Sequence, residues 1–215
     1  MQIKYVTYNR KYFYQCARLM DGTWDFLKYF KGIKDKDIVY GAFFEGSLIS
    51  STYTDIIVDK NENVLGYLIG SSRKQVTFWR KSIQILVETK FYLKQFKYLL
   101  LGKYGDKKTA FEQFKSMMAL TNCLERDKKL FDGEVNLFFI SPLLRGQGYG
   151  KKLMDRFVEY CQLNKINKIF LWTDRGCNFK FYEHYGFELY DQINHQLLAE
   201  PEEEYNGFVY SMTLK

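Results

Sequence analysis

A glycine-rich turn between an apolar segment and an amphipathic one constrains this chain most. Residues 133–153 read GEVNLFFISPLLRGQGYGKKL, so an apolar stretch suited to a strand precedes the turn. Apolar residues then recur at helical spacing: Leu153, Met154, Phe157, Val158 and Cys161. A strand, a glycine turn and a helix N-terminus in this order predict an anion site, because the first helical amides lack intrahelical partners and the helix dipole is positive there.

The spacing of the turn excludes two common phosphate-binding loops. A Walker loop needs Gly at position 145 and Ser or Thr at position 152, where this chain has Arg145 and Lys152. The dinucleotide fingerprint also fails, because the glycines fall at 146, 148 and 150 and no acidic residue follows about 20 residues on to hold a ribose. The pattern that fits is Arg-x-x-Gly-x-Gly after a strand ending in Ile-Ser-Pro.

That pattern resembles the acetyl-CoA loop of the GCN5-related N-acetyltransferase (GNAT) family. Residues 169–174 and 177–187 are similar to the family's fifth strand and fourth helix, and they end in its Phe-Tyr-x-x-x-Gly-Phe motif. The resemblance is close over about 134–190 and loose before residue 73. It implies an α/β fold with a mixed, mostly antiparallel sheet of about seven strands, splayed between strands 4 and 5, with helices on both faces.

The resemblance also implies an activity and a site. It implies an enzyme that transfers the acetyl group of acetyl-CoA to a primary amine by direct attack, and the unpaired cysteines indicate that this enzyme is cytoplasmic. The family's general acid falls on Tyr182. An amide near Ile140 is expected to stabilise the oxyanion, and the amides from Arg145 to Lys151 are expected to hold the diphosphate. The expected cofactor contacts are Phe138, Phe139, Ile140, Arg145, Gly146, Gln147, Gly148, Tyr149, Gly150, Lys151 and Asn178.

The general base is less determined by the sequence. In a regular strand, Glu134 and Asn136 share the face that includes Ile140, and Glu134 is the first candidate to take the proton, directly or through water. Asp174 at the end of the fifth strand is a second candidate, and catalysis without a dedicated base also stays open. Cys177 is interpreted as a buried thiol rather than a nucleophile, because no histidine is close in sequence.

The two histidines are weak candidates for a catalytic role. His184 lies two residues after Tyr182, so on a helix it points away from the acid. His195 belongs to neither motif. With two histidines and four cysteines that form no C-x-x-C pair, metal binding is not expected, and unpaired cysteines indicate a reducing compartment.

The charge and hydropathy of the chain limit which partners are expected. The net charge is +7, and residues 73–108 contain ten Lys or Arg against Glu88 and Asp106. Solvated lysines explain such a segment better than nucleic-acid binding, in which the cofactor loop has no role. No apolar run reaches the roughly 18 residues of a membrane span, so no membrane partner is expected. The expected partners are acetyl-CoA and an amine acceptor, either a small molecule or a peptide. A non-catalytic CoA-binding regulatory module is the alternative function, and a homodimer is left open.

The pattern along the chain predicts a single domain over residues 1–215. Strands are predicted at 2–8, 37–44, 47–59, 63–72, 134–141, 168–174, 187–191 and 207–214. Helices are predicted at 10–20, 23–30, 148–163 and 178–186, with Asn178 as the N-cap of the last one, and two more lie in an insertion at 73–132. The insertion is expected either to close the aromatic core or to form a wall over the acceptor site. Residues 200–204 are predicted to form a polar loop.

Overall fold

A computed structural model describes residues 2–21, 27, 30–74, 77–198 and 204–214. The strands are β1 (Ile3–Val6), β2 (Tyr53–Asp59), β3 (Val64–Ser72), β4 (Gly133–Ile140), β5 (Lys168–Asp174), β6 (Glu188–Ile193) and β7 (Gly207–Thr213). The helices are α1 (Phe13–Leu19), α2 (Lys36–Ile49), α3 (Phe78–Leu100), α4 (Lys107–Leu124), α5 (Tyr149–Leu163) and α6 (Lys180–Tyr185). Most of the helix predicted at 23–30 and of the loop predicted at 200–204 falls outside the described residues.

The seven strands form one sheet that opens in its middle. Their order is β1-β2-β3-β4-β5-β7-β6. Among the described strands only β4 and β5 pair in parallel, and they do so at two positions, Gly133 with Ile169 and Glu134 with Phe170. Beyond these positions the two strands diverge. The predicted α/β fold with a splayed, mostly antiparallel sheet is therefore confirmed.

A β-bulge at Asn136 changes the face assignments within β4. Gly70 of β3 pairs with Val135, and Ile69 pairs with Leu137, which leaves Asn136 as the extra residue. As a result Val135 joins the same hydrophobic cluster as Phe138 and Ile140. The regular alternation predicted for this strand, with Glu134 on the face of Ile140, is therefore wrong.

The strand predicted at 37–44 is also wrong, because this segment belongs to helix α2. The Asp35 carboxylate accepts a hydrogen bond from the amide of Asp37 and so caps the helix. Val39, Tyr40 and Phe44 are buried against α1 and the sheet. Helix α2 also takes in the first residues of the strand predicted at 47–59, which leaves β2 and β3 as the two strands that follow it.

Helices cover both faces of the sheet. On one face α1 and α2 pack over Tyr67 and Ile69 of β3. On the other face α5 lies across β3 and β4 with Leu153 and Phe157 fully buried. This contact is close, because a Cβ on Gly70 would lie 2.3 Å from the Phe157 ring.

The insertion forms two helices, as its apolar periodicity predicts. In α4, Ala110 belongs to the buried cluster of α1 and α2. About three turns further on, Leu120 and Leu124 pack with Phe170 of β5 and Val209 of β7. Helix α4 therefore extends from the cluster under α1 and α2 to strands β5 and β7. Within the described part of the chain, no helix combines the length and the apolar character that a membrane crossing needs.

Candidate active site

The divergence of β4 and β5 opens a cleft in the middle of the sheet. Residues of both strands and of the α6 region line it, and the ones that matter for chemistry are Asn136, Phe138, Phe139, Trp172, Asp174 and Tyr182. The cleft exists because the bulge and the early end of parallel pairing turn β4 away from β5. A concave, mostly apolar site with a few convergent polar groups is a typical ligand site.

One edge of β4 is open along this cleft. Phe138, Phe139 and Ile140 pair with β3 on one side, while no described strand pairs with these residues on the side of β5. Backbone amides and carbonyls of a strand point alternately to its two edges. An extended ligand with amide groups can therefore bind this edge as an added strand would.

The turn after β4 has the backbone geometry that its glycines predict. The Ser141 amide donates to the carbonyl of Leu65 at 2.8 Å, which fixes the end of the strand. Gly146 and Gly148 then take φ values of +72° and +77°, a left-handed conformation that favours glycine. A Cβ built on either residue would meet no atom within 4 Å. The glycines thus border open space rather than a packed neighbour.

The N-terminus of α5 faces this open space. Gly148 is its N-cap, and the first helical bond runs from the Lys152 amide to the Gly148 carbonyl at 3.1 Å. The amides of Tyr149, Gly150 and Lys151 precede that bond, so they have no partner within the helix. Together with the helix dipole they make this concavity positive, which is the kind of site that favours an anion.

Two basic side chains near the turn, Arg145 and Lys151, differ in whether they form an ion pair. Arg145 is exposed, and the described residues provide it with no ion pair. The Lys151 ammonium instead lies 2.8 Å from the Asp155 carboxylate, one turn along α5. The predicted phosphate contact of Lys151 is therefore better placed at its backbone amide than at its side chain.

Tyr182, the predicted general acid, lines the cleft. Its ring is 6.4 Å from that of Phe138 across the cleft and 6.2 Å from that of Tyr210. Burial raises the pKa of its hydroxyl above the usual 10, and Cys177 and the Asp174 carboxylate raise it further. The hydroxyl consequently keeps its proton at neutral pH and can donate it.

Asp174 brings a buried carboxylate to the same cleft. The residue is 4% exposed, and its Oδ1 atom has no hydrogen-bond partner among the described residues. The Oδ1 atom of Asn136 is buried and unsatisfied in the same way, and both residues line the cleft. Two unsatisfied acceptor oxygens suit a ligand group rich in N–H donors.

Cys177 lies beside these groups as a partly buried thiol. Burial, reinforced by the neighbouring Asp174 carboxylate, raises its pKa to about 12. The thiolate is the nucleophilic form of cysteine, and it is scarcely populated at neutral pH with such a pKa. The geometry therefore favours the interpretation of Cys177 as a structural residue.

Glu134 is buried outside the cleft. It is 4% exposed, and its Oε2 atom lies 3.2 Å from the Lys128 ammonium. Burial raises its pKa, while the charge of Lys128 opposes that effect. Glu134 is not among the residues that line the gap, so the structure does not bring it together with Tyr182. Its role as a base stays a prediction.

The remaining candidates lie at the margins of the site. Asn178 is exposed, and Phe179 rather than Asn178 is the N-cap of α6, with no side-chain cap, so the predicted capping is wrong. His184 is exposed on α6, with its Nδ1 atom 2.6 Å from the Lys180 carbonyl oxygen. His195 lies after β6 and does not line the cleft. The described residues contain no cluster of three or more His, Cys, Asp or Glu side chains that could hold a metal ion.

Asn136 is the functional candidate that sequence reasoning left without a role. Its side chain reaches the cleft because it is the bulged residue. Strand alternation alone gives no signal of a bulge. The only hint in the sequence is a polar residue within the otherwise apolar run VNLFFI.

The fold and this site define the class of protein: an α/β protein with a splayed sheet, an open strand edge and an anion-binding turn at a helix N-terminus. The sequence model of the Acetyltransferase (GNAT) family matches residues 17–187. Because the match spans more than half of the chain, this protein belongs to the GNAT family of acetyltransferases, which use acetyl-CoA.

Solved structures with this fold include SsHAT, with a TM-score of 0.60 and 13% identity over all of both chains. Arylalkylamine N-acetyltransferase 2 from Aedes aegypti has a TM-score of 0.56 and 15% identity, again over all of both chains. The NatC complex bound to Gag peptide and CoA has a TM-score of 0.53 and 15% identity over the whole of each chain. At these identities the similarity shows the fold alone. A search of curated protein sequences gave no match.

Proposed function

We propose that this chain transfers the acetyl group of acetyl-CoA to a primary amine of a small molecule or peptide, by direct attack of the amine. The main support is the convergence of a protonated phenol, Tyr182, and a buried carboxylate, Asp174, on one cleft. Phe138 connects this cleft to the anion-binding turn, because its ring would lie 3.4 Å from a Cβ on Gly150. The binding and reacting groups thus adjoin each other.

The residues present fit acetyl-CoA. The amides from Gly146 to Lys151 would hold the diphosphate in the open space beside Gly146 and Gly148. The exposed Arg145 would add charge to those hydrogen bonds. The open edge of β4 at Phe138–Ile140 would bind the amide-bearing arm, and Asn178 would contact the same arm from α6. When bound, acetyl-CoA supplies an activated acyl group in the form of a thioester.

The cleft residues then manage the protons. The Asp174 carboxylate takes a proton from the acceptor ammonium, and the Asn136 oxygen accepts another of its N–H groups. A backbone amide near Ile140 donates to the carbonyl oxygen as that oxygen gains charge. The Tyr182 hydroxyl gives its proton to the departing sulfur, so that a C–N bond forms as the C–S bond breaks. The proton that the attacking nitrogen loses as it becomes an amide returns to the Tyr182 oxygen. Glu134 is the second candidate for the proton acceptor, acting through water.

Thiol release from acetyl-CoA tests this proposal. The purified chain is assayed against pooled primary amines, polyamines, amino acids and peptides, and release with at least one pool is expected. Tyr182→Phe should then lower kcat by about 100-fold or more, because a positioned general acid contributes at least that much, while acetyl-CoA affinity is retained.

Tyr185→Phe is the matched control. Tyr185 lies on α6 with Tyr182, but its hydroxyl donates to Asp155 of α5 at 2.8 Å, away from the residues that line the cleft. Its removal should therefore leave kcat close to that of the wild type. Full rate in Tyr182→Phe would refute the acid assignment. Tight CoA binding without thiol release across the whole panel would instead favour the non-catalytic CoA-binding module.

A further inference from the structure

The solvent side of α3 carries a regular series of large side chains. The series alternates between steps of four and three residues, which is the a/d spacing of a coiled coil. Its members, called the heptad stripe below, are Trp79, Ile83, Leu86, Lys90, Leu93, Lys97 and Leu100. Large apolar residues occupy every d position, and both lysines occupy a positions.

The opposite side of α3 is fixed against the body of the protein. Gln95 and Leu99 are buried. The Lys94 ammonium pairs with the Glu45 carboxylate of α2, and the Phe91 ring would lie 3.4 Å from a Cβ on Gly46. Helix α3 therefore cannot turn its heptad stripe inward without losing these contacts.

The exposed apolar surface is large for a monomer. The apolar residues of the stripe from Ile83 to Leu100 and the flanking Val87, Phe96 and Leu101 are each between 43% and 64% exposed. With side chains of this size the total is on the order of 700 Å². The largest apolar patch of a typical monomer is about 300–600 Å², whereas one side of a stable interface buries about 800 Å².

The two lysines discriminate among the occupants of this surface. Lys90 and Lys97 lie along the centre of the stripe, so a lipid bilayer would have to take up two ammonium groups on the face that enters it. Parallel pairing of two copies would place Lys90 and Lys97 each against its own counterpart.

Antiparallel pairing avoids that contact, because an a position then faces a d position of the other helix. Each lysine would pack its aliphatic stem along a leucine or Trp79 of the other copy and keep its ammonium in water. Antiparallel pairing therefore suits this stripe, because both lysines are at a positions and every d position that they would face is apolar.

We propose that two copies of this chain associate through the heptad stripes of α3, antiparallel about a twofold axis. An isologous contact of this kind is self-complementary and closes at two copies. No residue assigned to the cleft or to the turn at Arg145–Lys151 takes part in this interface. A failure of the interface proposal would therefore leave the acetyl-transfer proposal untouched, and the reverse also holds.

Light scattering on the full chain over a range of concentrations tests the association. A particle of twice the 25.8 kDa chain mass is expected. Leu86→Lys and Leu93→Lys should each shift the population to monomer, because each places two further ammonium groups in the seam beside Lys90 and Lys97. Leu163→Lys is the matched control: Leu163 is 77% exposed at the end of α5, and this variant should stay dimeric. Circular dichroism should be alike for all of these variants.

A monomer at every concentration would overturn the proposal, and so would a dimer that persists in both Leu86→Lys and Leu93→Lys. Binding of a monomeric chain to phosphatidylserine vesicles that Leu93→Glu abolishes would also overturn it, because the stripe would then contact lipid.

Cross-linking tests the direction of the helices in a Cys123→Ser background, which removes the exposed thiol. Antiparallel pairing places the two Ile83 positions more than about 15 Å apart along the axis, beyond the reach of a disulfide. Ile83→Cys should then form no disulfide with itself, but it should cross-link when mixed with Leu93→Cys or Leu100→Cys. A disulfide between two Ile83→Cys chains would show parallel pairing and overturn the proposal.

Discussion

Replacement of Gly148 by alanine separates backbone strain from ligand binding at the turn. Gly148 has a φ of +77°, and a left-handed conformation costs a residue with a Cβ about 1–2 kcal/mol. No atom lies within 4 Å of the added methyl group, so no packing clash adds to that cost. For a chain of this size the strain should lower Tm by roughly 2–8 °C.

The methyl group would also enter the space assigned to the diphosphate. Displacement of one charge-assisted hydrogen bond costs about 1.5–3 kcal/mol, which raises Kd for acetyl-CoA by roughly 10- to 100-fold. Isothermal titration calorimetry measures this change, and differential scanning calorimetry measures the loss in Tm.

Gly102→Ala is the matched control. Gly102 has a φ of +66° between α3 and α4, and its nearest neighbours to an added Cβ are at an ordinary 3.7 Å. It should lose a similar amount of stability and keep the affinity of the wild type for acetyl-CoA. Equal acetyl-CoA affinities in Gly148→Ala and Gly102→Ala would refute the assignment of the turn as the diphosphate site.

Three further predictions concern the cleft and its surroundings. Asp174→Asn should lower kcat/KM by about 100-fold or more at pH 7. The ratio of wild-type to variant kcat/KM should fall as the pH approaches the pKa of the acceptor amine, because the amine then loses its proton to the solvent. A ratio that stays constant with pH would contradict proton transfer to Asp174. Burial raises the pKa of Glu134, so its contribution to the free energy of unfolding is present below the unfolded-state pKa and is lost as the pH rises through the folded-state pKa. Glu134→Gln should remove this pH dependence of stability and leave thiol release unchanged. A large loss of turnover in this variant would instead identify Glu134 as the base. Iodoacetamide at pH 7.5 should label the exposed Cys123 well before Cys177, as peptide mapping would show, and the reverse order would contradict the assignment of Cys177 as an inert thiol.

The C-terminal half of the fold could be predicted from the sequence because its signals are local. The bounds of β5 coincide with the predicted 168–174, and α5 starts within one residue of the predicted 148–163. The glycine turn and a long amphipathic helix leave few alternatives there. Gly186, with a φ of +112°, ends α6 as predicted.

The errors arose where tertiary contacts decide the outcome. Residues 37–44 are rich in β-branched and aromatic residues, which favours a strand, yet the Asp35 cap and burial against α1 make them a helix. The bulge at Asn136 depends on the register with β3, which strand alternation cannot reveal. That single extra residue moved Glu134 off the face of Ile140 and brought Asn136 into the cleft.

Hydrogen exchange with and without acetyl-CoA tests the central claim most directly, because it reports on individual backbone amides. The account predicts that acetyl-CoA slows exchange in two segments, 138–140 on the open edge of β4 and 146–151 at the turn and the start of α5. Unchanged exchange in both segments at saturating acetyl-CoA, or protection confined to α3 and α4, would contradict it.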